Sequence, residues 1–529
     1  MTFNGHMRGL FTYKALGGIA FAVLAFAAVW MGGLNQDEGW YLYAAQLVGE
    51  GKMPYRDFFY TQGPLMPVVY SAFAFVWRDF GILGARVLTS VLGLVGVLVF
   101  AALARLLVDG ERKGAAATGV FLLLACNLYH LYFVSMPKTY SLATFFVATG
   151  FFLVVQAMSG ERPRPLLFVF AGLSLAFAAG TRISLGVLLA VVGFALLFSF
   201  RRFGMGFFWF GIGGVLGLAA VYGPFLLDAA AFDGLCAAQK YHASRGGFAP
   251  MFVVGSLSRL VRWYVPVFFL LGFAILGLRR HATAAPVASC RRFAIGLLLT
   301  GFVGVFAVQM LAPFPYEDYQ VPIMGLLAVA GVAMCLDRAK ADGAQLPVRG
   351  FLLAALGLSF AISFGSPLLE KWTTNGQDRL WTLTKRRTEL SQLMDVARRI
   401  KKLDPGGKTI FTQDVYIAVE TGRRIPHGLE MGPFSQLDKS EWIALLESVD
   451  CPVAALSGYT FAVNPPVCDE RPLDEQMEFW RILRQRYTLA DCEELFGQNA
   501  TTLLILRRRP EEAPADSTQA VGPAEEVPQ

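Results

Sequence analysis

The sequence predicts a mainly α-helical, polytopic membrane protein of about 11 transmembrane helices, followed by a small α/β domain outside the membrane. Three observations carry that expectation. Of the 529 residues, 55% are hydrophobic and only 16% are charged, and the mean hydropathy is +0.50, too apolar for an ordinary soluble chain. Apolar runs long enough to span a ~30 Å hydrocarbon core recur up to about residue 365. Beyond it the composition turns charged and mixed. The expected organisation is a membrane domain over 1–365, an extracytoplasmic α/β domain over 366–509 and a disordered Pro/Glu/Ala-rich tail over 510–529.

The first run, 15–34, follows a short basic start and lacks a small-residue cleavage site, so it reads as an uncleaved first helix with its amino end inside. Further runs fall near 82–107, 115–134, 139–157, 165–180, 181–200, 207–227, 262–278, 293–312, 320–336 and 350–365. The segment 63–77 is short and carries Pro64 and Pro67. If it crossed the membrane, the clusters at Arg105, Arg112 and Lys113, at Arg162 and Arg164, at Arg201 and Arg202, and at Arg279, Arg280, Arg291 and Arg292 would all lie outside, against the positive-inside bias. An interfacial or half-inserted helix returns every cluster to the cytoplasm and leaves the carboxyl-terminal region outside. The net charge of +7 is thereby spent on orientation, and no nucleic-acid partner is implied.

The chain is organised around Asn35-Gln36-Asp37-Glu38-Gly39-Trp40-Tyr41, where an acidic pair appears as the first apolar run ends. Carboxylates are costly in lipid and cheap at its edge, so the pair belongs at a membrane surface beside Trp40, Tyr41 and Tyr43. The plainer alternative is that Asp37 and Glu38 only end a helix. The same topology gathers polar residues on the outer face: the turn 130–138, the Thr181-Arg182 break, the long segment 228–260 with Lys240, His242 and Arg245, and Tyr316-Glu317-Asp318-Tyr319. The inner loops hold little but arginine and lysine. Segregation of this kind is what an active site at the outer surface produces. The segment 228–260 mixes tyrosine, basic and apolar residues as a stretch lying in the headgroup plane does.

The first outer loop continues through Tyr55, Arg56 and Asp57 to Gln62-Gly63-Pro64-Leu65. An Asp-Glu pair with nearby Tyr and Ala, a Gly-x-x-Pro-Tyr turn with Asp, and a Gly-Pro-Leu helix entry resemble the membrane glycosyltransferases of the C-type fold. More narrowly the loop, taken as 35–81, resembles glycosyltransferase family 39: the protein O-mannosyltransferases and the lipid A aminoarabinose and galacturonic acid transferases. The resemblance is motif-specific over about 35–65, with a weaker match at 314–322. It implies transfer of a sugar from a polyprenyl-phosphate carrier to an envelope lipid, glycan or protein in the inner (plasma) membrane. It further implies that Asp37 is the catalytic base, with Glu38 beside it. The family's frequent Leu-Asp/Glu-Pro turn is here Ser135-Met136-Pro137-Lys138, without a carboxylate.

The residues make chemical sense of that reading. An acceptor hydroxyl must lose a proton, which one carboxylate can take. The departing phosphate needs no acid but does need cations in a low-dielectric site. Arg182, between two half-length apolar segments, is the leading cation, with Lys138, Lys240, Arg245, Arg259 and Arg262 as alternatives; ordinary snorkelling to headgroups is the competing account of each. Tyr41, Tyr55, Asp57, His242, Glu317, Asp318 and Tyr319 are further candidates for the substrate loops. A divalent metal on Asp37, Glu38 and His242 is a possible cofactor, without any paired His or Cys spacing to support it.

Beyond residue 366, charged helical spacing over 378–403, strands at 408–412 and 501–506 and a helix over 439–448 are expected. The segment Pro405-Gly406-Gly407-Lys408 lacks the spacing of a phosphate-binding loop. Seven cysteines occur; Cys451 and Cys468 are expected to pair if the compartment is oxidising. Two other function classes stay open: a lipid or glycan transporter or flippase, suggested by the break at Arg182, and a non-catalytic scaffold of the same fold.

Overall fold

The computed structural model describes residues 18–19, 21–159, 163–244, 250–278, 286–312, 315–341, 357, 387–435, 437–457, 473–498 and 500–510. The expected span 350–365, the boundary at 365/366, the tail after 510, Arg245 and the expected partner Cys468 lie outside the described residues. Cys451 is buried and forms no disulfide among the described residues.

The chain is a mainly helical, multi-pass membrane protein. Helix α1 (Phe21–Met31) is followed by α2 (Gln36–Gly49), the short α3 (Leu65–Ser71) and the long α4 (Ala74–Leu106). The membrane bundle continues through α5 (Arg112–Ala125), α6 (Leu128–Ser135), α7 (Thr139–Met158), α8 (Pro165–Thr181), α9 (Val187–Phe198), α10 (Phe200–Phe203), α11 (Gly206–Leu226), α12 (Ala229–Ser244), α13 (Pro250–Trp263), α14 (Val265–Leu278), α15 (Pro286–Met310) and α16 (Val321–Ala341). Among the described residues, five helices are long and apolar enough to cross a membrane alone, or up to seven if each of two bent pairs is one span. Val87, Val91, Val95 and Leu98 form an exposed stripe on α4, which suits a lipid-facing surface.

Several elements differ from a reading by hydropathy alone, each for a local reason. Asp37 and Glu38 do not end the first helix; they begin the second. Asn35 Oδ1 accepts from the Asp37 N–H and Glu38 Oε1 from the Asn35 N–H, both at 3.0 Å, a reciprocal cap that starts α2 after the turn at Gly32-Gly33. The run 115–134 is broken: Asn127 caps α6 by accepting from the His130 N–H, and α5 and α6 meet at 74°. The segment 63–77 holds α3, too short to span, and the first turns of α4, which kinks at Gly81 (φ 60, ψ −155). The segment 228–260 is helical as α12 and α13, and α13 turns 87° from the following helix. Close backbone approach joins α8 to α11: a Cβ on Gly213 would lie 1.9 Å from the Val169 carbonyl oxygen.

The described carboxyl-terminal residues form an α/β unit of α17 (Glu389–Leu403), α18 (Val415–Thr421), α19 (Lys439–Ser448), β1 (Val453–Leu456), α20 (Leu473–Arg486), β2 (Tyr487–Phe496) and β3 (Thr501–Arg508). The sheet is antiparallel in the order β1-β3-β2, with Val453 opposite Arg507 and Tyr487 opposite Arg508. Residues 408–412 are not a strand: only Thr409 and Phe411 make isolated bridges, to Arg424 and Ala454.

This unit does not float beside the membrane bundle. Trp40, Tyr41 and Leu42 of α2 share one buried cluster with Ile410, Val415, Tyr416 and Leu456. A Cβ on Gly39 would fall 2.2 Å from the Tyr416 backbone nitrogen, so only glycine admits that contact. Gln36 Nε2 donates to Asp414 Oδ1 at 2.5 Å, and the Tyr416 hydroxyl donates to the same oxygen at 2.9 Å.

Burial pushes the Asp414 carboxyl above the usual carboxylate range, against hydrogen bonds from Ser457, Gln36 and Tyr416 that act the other way. Because the folded value is raised, its contribution to stability is complete below the ordinary carboxylate range and is lost as pH rises through the folded value. Asp414→Asn keeps an acceptor for Gln36 and Tyr416 without a charge. The variant is expected to gain thermal stability over wild type at pH 8 and to lose that advantage at pH 4. Unfolding midpoints of both chains at the two pH values check this, and parallel pH profiles contradict it.

Candidate active site

The capped start of α2, the turn before α7, the break after α8 and the 3₁₀ turn Glu317–Gln320 bring one set of polar side chains together. Asp37 is half-buried, as are Asp318 and Tyr319, whereas Lys138 and Arg182 are buried. The Asp37 side chain is 25% exposed, forms a 2.7 Å ion pair with Lys138 Nζ and accepts from Trp40 Nε1 at 3.1 Å. Lys138 is buried, 5.3 Å from the Tyr140 ring centroid and 5.9 Å from that of Phe133. Burial works against its charge, but Asp37 and Asp318 outweigh burial and hold its pKa above the ordinary lysine value. The ammonium is therefore retained in a dry setting.

Arg182 lies behind this pair. Its guanidinium is sandwiched between Tyr140 and Tyr319, 4.9 and 4.7 Å from their ring centroids, and donates to Thr139 Oγ1 at 3.0 Å. Among the described residues its buried Nε has no hydrogen-bond partner, an unused donor in a place where unused donors are costly. Tyr140 donates to Asp318 Oδ2 at 2.6 Å. Tyr41 stacks on Trp40, with ring centroids 3.7 Å apart. Burial, then Asp37, pushes its phenol up. Two cations, two carboxylates and three tyrosines thus share one cluster, in which Asp37 is half-buried.

Glu38 occupies a different environment from its neighbour. It is fully buried, and Arg86 grips it with Nε to Oε2 at 2.7 Å and Nη2 to Oε1 at 2.6 Å. The remaining Arg86 donors go to the carbonyls of Val29, Gly32 and Gly33 at 2.8–3.0 Å. All five guanidinium N–H groups are used. The pair closes the open carbonyl end of α1 and ties it to the start of α2, and both Glu38 oxygens are engaged by Arg86 and the Asn35 N–H. The expectation that Glu38 acts beside Asp37 gives way to a supporting role, because its charge is consumed by Arg86.

Other candidates separate in the same way. Asp57 accepts from the Met53 N–H at 2.7 Å and pairs with Arg56, which reaches Asp228 at 3.2 Å; it holds a turn. Tyr55 (φ 68) donates to the Gln62 carbonyl and packs edge-on to Tyr60 and Phe225. His242 Nε2 lies 3.3 Å from Gln62 Nε2. Arg259 pairs with Glu317 at 3.0 Å, next to Asp318 in the cluster, while Lys240 is exposed on α12. Arg262 stacks on the ring of Trp263 at 5.7 Å. The metal set of Asp37, Glu38 and His242 does not fit: each has a different partner, and no group of three His, Cys, Asp or Glu residues suited to a metal occurs among the described residues.

Sequence reasoning passed over Arg86, Trp40, Thr139 and Tyr140 as site residues. Arg86 carried a signal, being an arginine inside the run 82–107 and away from its basic end at Arg105, where an ionisable residue needs a buried partner. Lys138 was marked only as an alternative cation, yet it stands in the turn where the resembling family often has a carboxylate.

No protein-family model matches the sequence, and a search of curated proteins finds no relative. Solved structures do match. The chain resembles ArnT from Cupriavidus metallidurans bound to undecaprenyl phosphate, at 13% identity and a TM-score of 0.59, with 94% of this chain and 98% of that one covered. The apo state of the same protein matches at 15% identity and a TM-score of 0.56 over the same shares. The Archaeoglobus fulgidus oligosaccharyltransferase tethered to an acceptor peptide matches at 12% identity and a TM-score of 0.51, over 96% of this chain and 75% of that one. The fold is that of the C-type membrane glycosyltransferases.

Proposed function

We propose that the protein is an integral-membrane glycosyltransferase that moves a sugar from a polyprenyl-phosphate carrier to an envelope lipid, glycan or protein, with Asp37 as general base. One observation carries the reading: a half-buried carboxylate, Asp37, lies against a buried ammonium, Lys138, in one cluster with Arg182, whose buried Nε has no partner among the described residues. The acceptor oxygen bonds to the anomeric carbon as that carbon's bond to the phosphate oxygen breaks. The acceptor proton passes to Asp37, and the carrier leaves as polyprenyl phosphate. Lys138 and Arg182 meet the charge that develops on the departing phosphate, in a setting where such contacts weigh more than in water. Arrival of the phosphate also gives Lys138 a second anion, loosening its hold on Asp37 as the base is needed.

In this reading the site faces outward, about 11 helices cross the inner (plasma) membrane, and Arg202 and Arg291 lie in the cytoplasm. Cysteine labelling of intact cells is expected to modify position 318 from outside and to spare position 202; modification of position 202 from outside overturns the orientation.

Arg182→Ala is expected to weaken binding of the polyprenyl-phosphate sugar by about 10–100-fold, the range of a hydrogen bond to a charged group. Titration of the purified chain with the donor lipid checks it. Wild-type affinity in the variant removes Arg182 from the donor site. Carrier binding without transfer in the wild-type chain points instead to a flippase or a non-catalytic scaffold.

A further inference from the structure

Three carboxylates of the carboxyl-terminal unit each accept a hydrogen bond from the segments that hold Asp37. Glu389 takes the Leu34 N–H at 2.6 Å, Asp414 takes the Gln36 amide at 2.5 Å, and Glu420 takes the Ile82 N–H at 2.8 Å. The third differs in kind. Gly81, with φ 60, interrupts α4, so the membrane helix restarts at Ile82 with a free amino end. Among the described residues, no side chain of α4 itself bonds to that end. Glu420 reaches in from α18 to do so, and a Cβ on Gly81 would fall 2.2 Å from its carboxylate oxygen. A carboxylate at a helix amino terminus is favoured by both the open N–H groups and the helix dipole.

One turn beyond this cap is Arg86, which clamps Glu38, and Glu38 is reciprocally capped with Asn35 beside Asp37. We propose that Glu420 is a positioning residue for Asp37: by capping the membrane helix at Ile82, it sets the height and rotation of the turn that bears Arg86, and so of the start of α2. On this account the carboxyl-terminal unit is part of the support of the reacting carboxylate, beyond any contact it makes with an acceptor. The inference rests on the reading of Asp37 as the base, but its structural half can be read without activity.

The experiment uses the full chain in lipid nanodiscs, with Glu420→Ala, Glu420→Gln and Glu420→Asp. Hydrogen exchange is followed by mass spectrometry over peptides covering 34–40, 82–90 and 453–456, and turnover is measured with a polyprenyl-phosphate sugar. Glu420→Ala is expected to speed exchange over 34–40 and 82–90 while sparing 453–456. It should lower kcat by about tenfold with donor KM within about twofold, as displacement of a reacting group does. Glu420→Gln, which keeps an acceptor oxygen, should recover most of both effects. Glu420→Asp, a methylene too short, should resemble Ala and serves if the Ala chain does not fold. Unchanged exchange over 34–40 in a folded Ala or Asp variant overturns the inference, as does loosening spread equally over 453–456 with normal kcat per folded molecule. If wild type transfers no sugar, the reading of Asp37 falls, and the exchange data still decide whether Glu420 holds the segment.

Discussion

Asp37→Asn is expected to lower the rate of sugar transfer by about 10²–10⁴-fold, the usual worth of a positioned general base, while leaving the fold and donor affinity close to wild type. Asparagine keeps the size of the side chain and an oxygen for the indole N–H of Trp40, so the start of α2 should stay in place. What disappears is the proton acceptor and the anionic partner of Lys138. The freed ammonium remains available to a phosphate, so donor binding should hold or tighten while the chemical step fails. Single-turnover kinetics at saturating donor separate these quantities. A loss confined to donor affinity, with the step itself intact, would make Asp37 a binding residue.

Arg86→Leu should be the most damaging single change to the fold, at about 3–5 kcal/mol, because it leaves a fully buried Glu38 carboxylate without its partner. It also strips donors from the carbonyls of Val29, in the last turn of α1, and of Gly32 and Gly33 just beyond it, of which Gly33 keeps the Tyr132 hydroxyl at 3.2 Å. Combining Arg86→Leu with Glu38→Gln removes the stranded charge and should recover part of the loss, whereas two independent sites would add. Thermal unfolding of the two single variants and the double variant in detergent checks this. Equal stability of Arg86→Leu and wild type would contradict the ion pair as the anchor of α2.

The helical membrane character was legible because hydropathy reports directly on the cost of exposing polar groups to lipid, and the loop around Asp37 stood out because its motif is local. What the sequence hid was partnership across distance. Asp37 and Glu38 are adjacent and chemically alike, yet one, half-buried, meets Lys138 and the other is sealed against Arg86. Nothing in the local pattern separates them; the register of α2 after the Asn35 cap does, by turning consecutive side chains about 100° apart. The apolar run 115–134 reads as one span because hydropathy is blind to the single capping hydrogen bond at Asn127 that breaks it. The link from Glu420 to Ile82 joins residues 338 positions apart, beyond the reach of any periodicity argument. Asp57 and Tyr55 looked functional for the opposite reason: a well-made turn uses the same residue types as a binding loop.

The account stands most directly on transfer by the purified chain. Wild type and Asp37→Asn, reconstituted at equal folded concentration with a labelled polyprenyl-phosphate sugar and an envelope extract as acceptor, should both bind the carrier. Only wild type should move label to an acceptor at an appreciable rate. Transfer at the wild-type rate by Asp37→Asn would contradict the assignment of the base, and carrier binding without any transfer by wild type would contradict the enzyme itself.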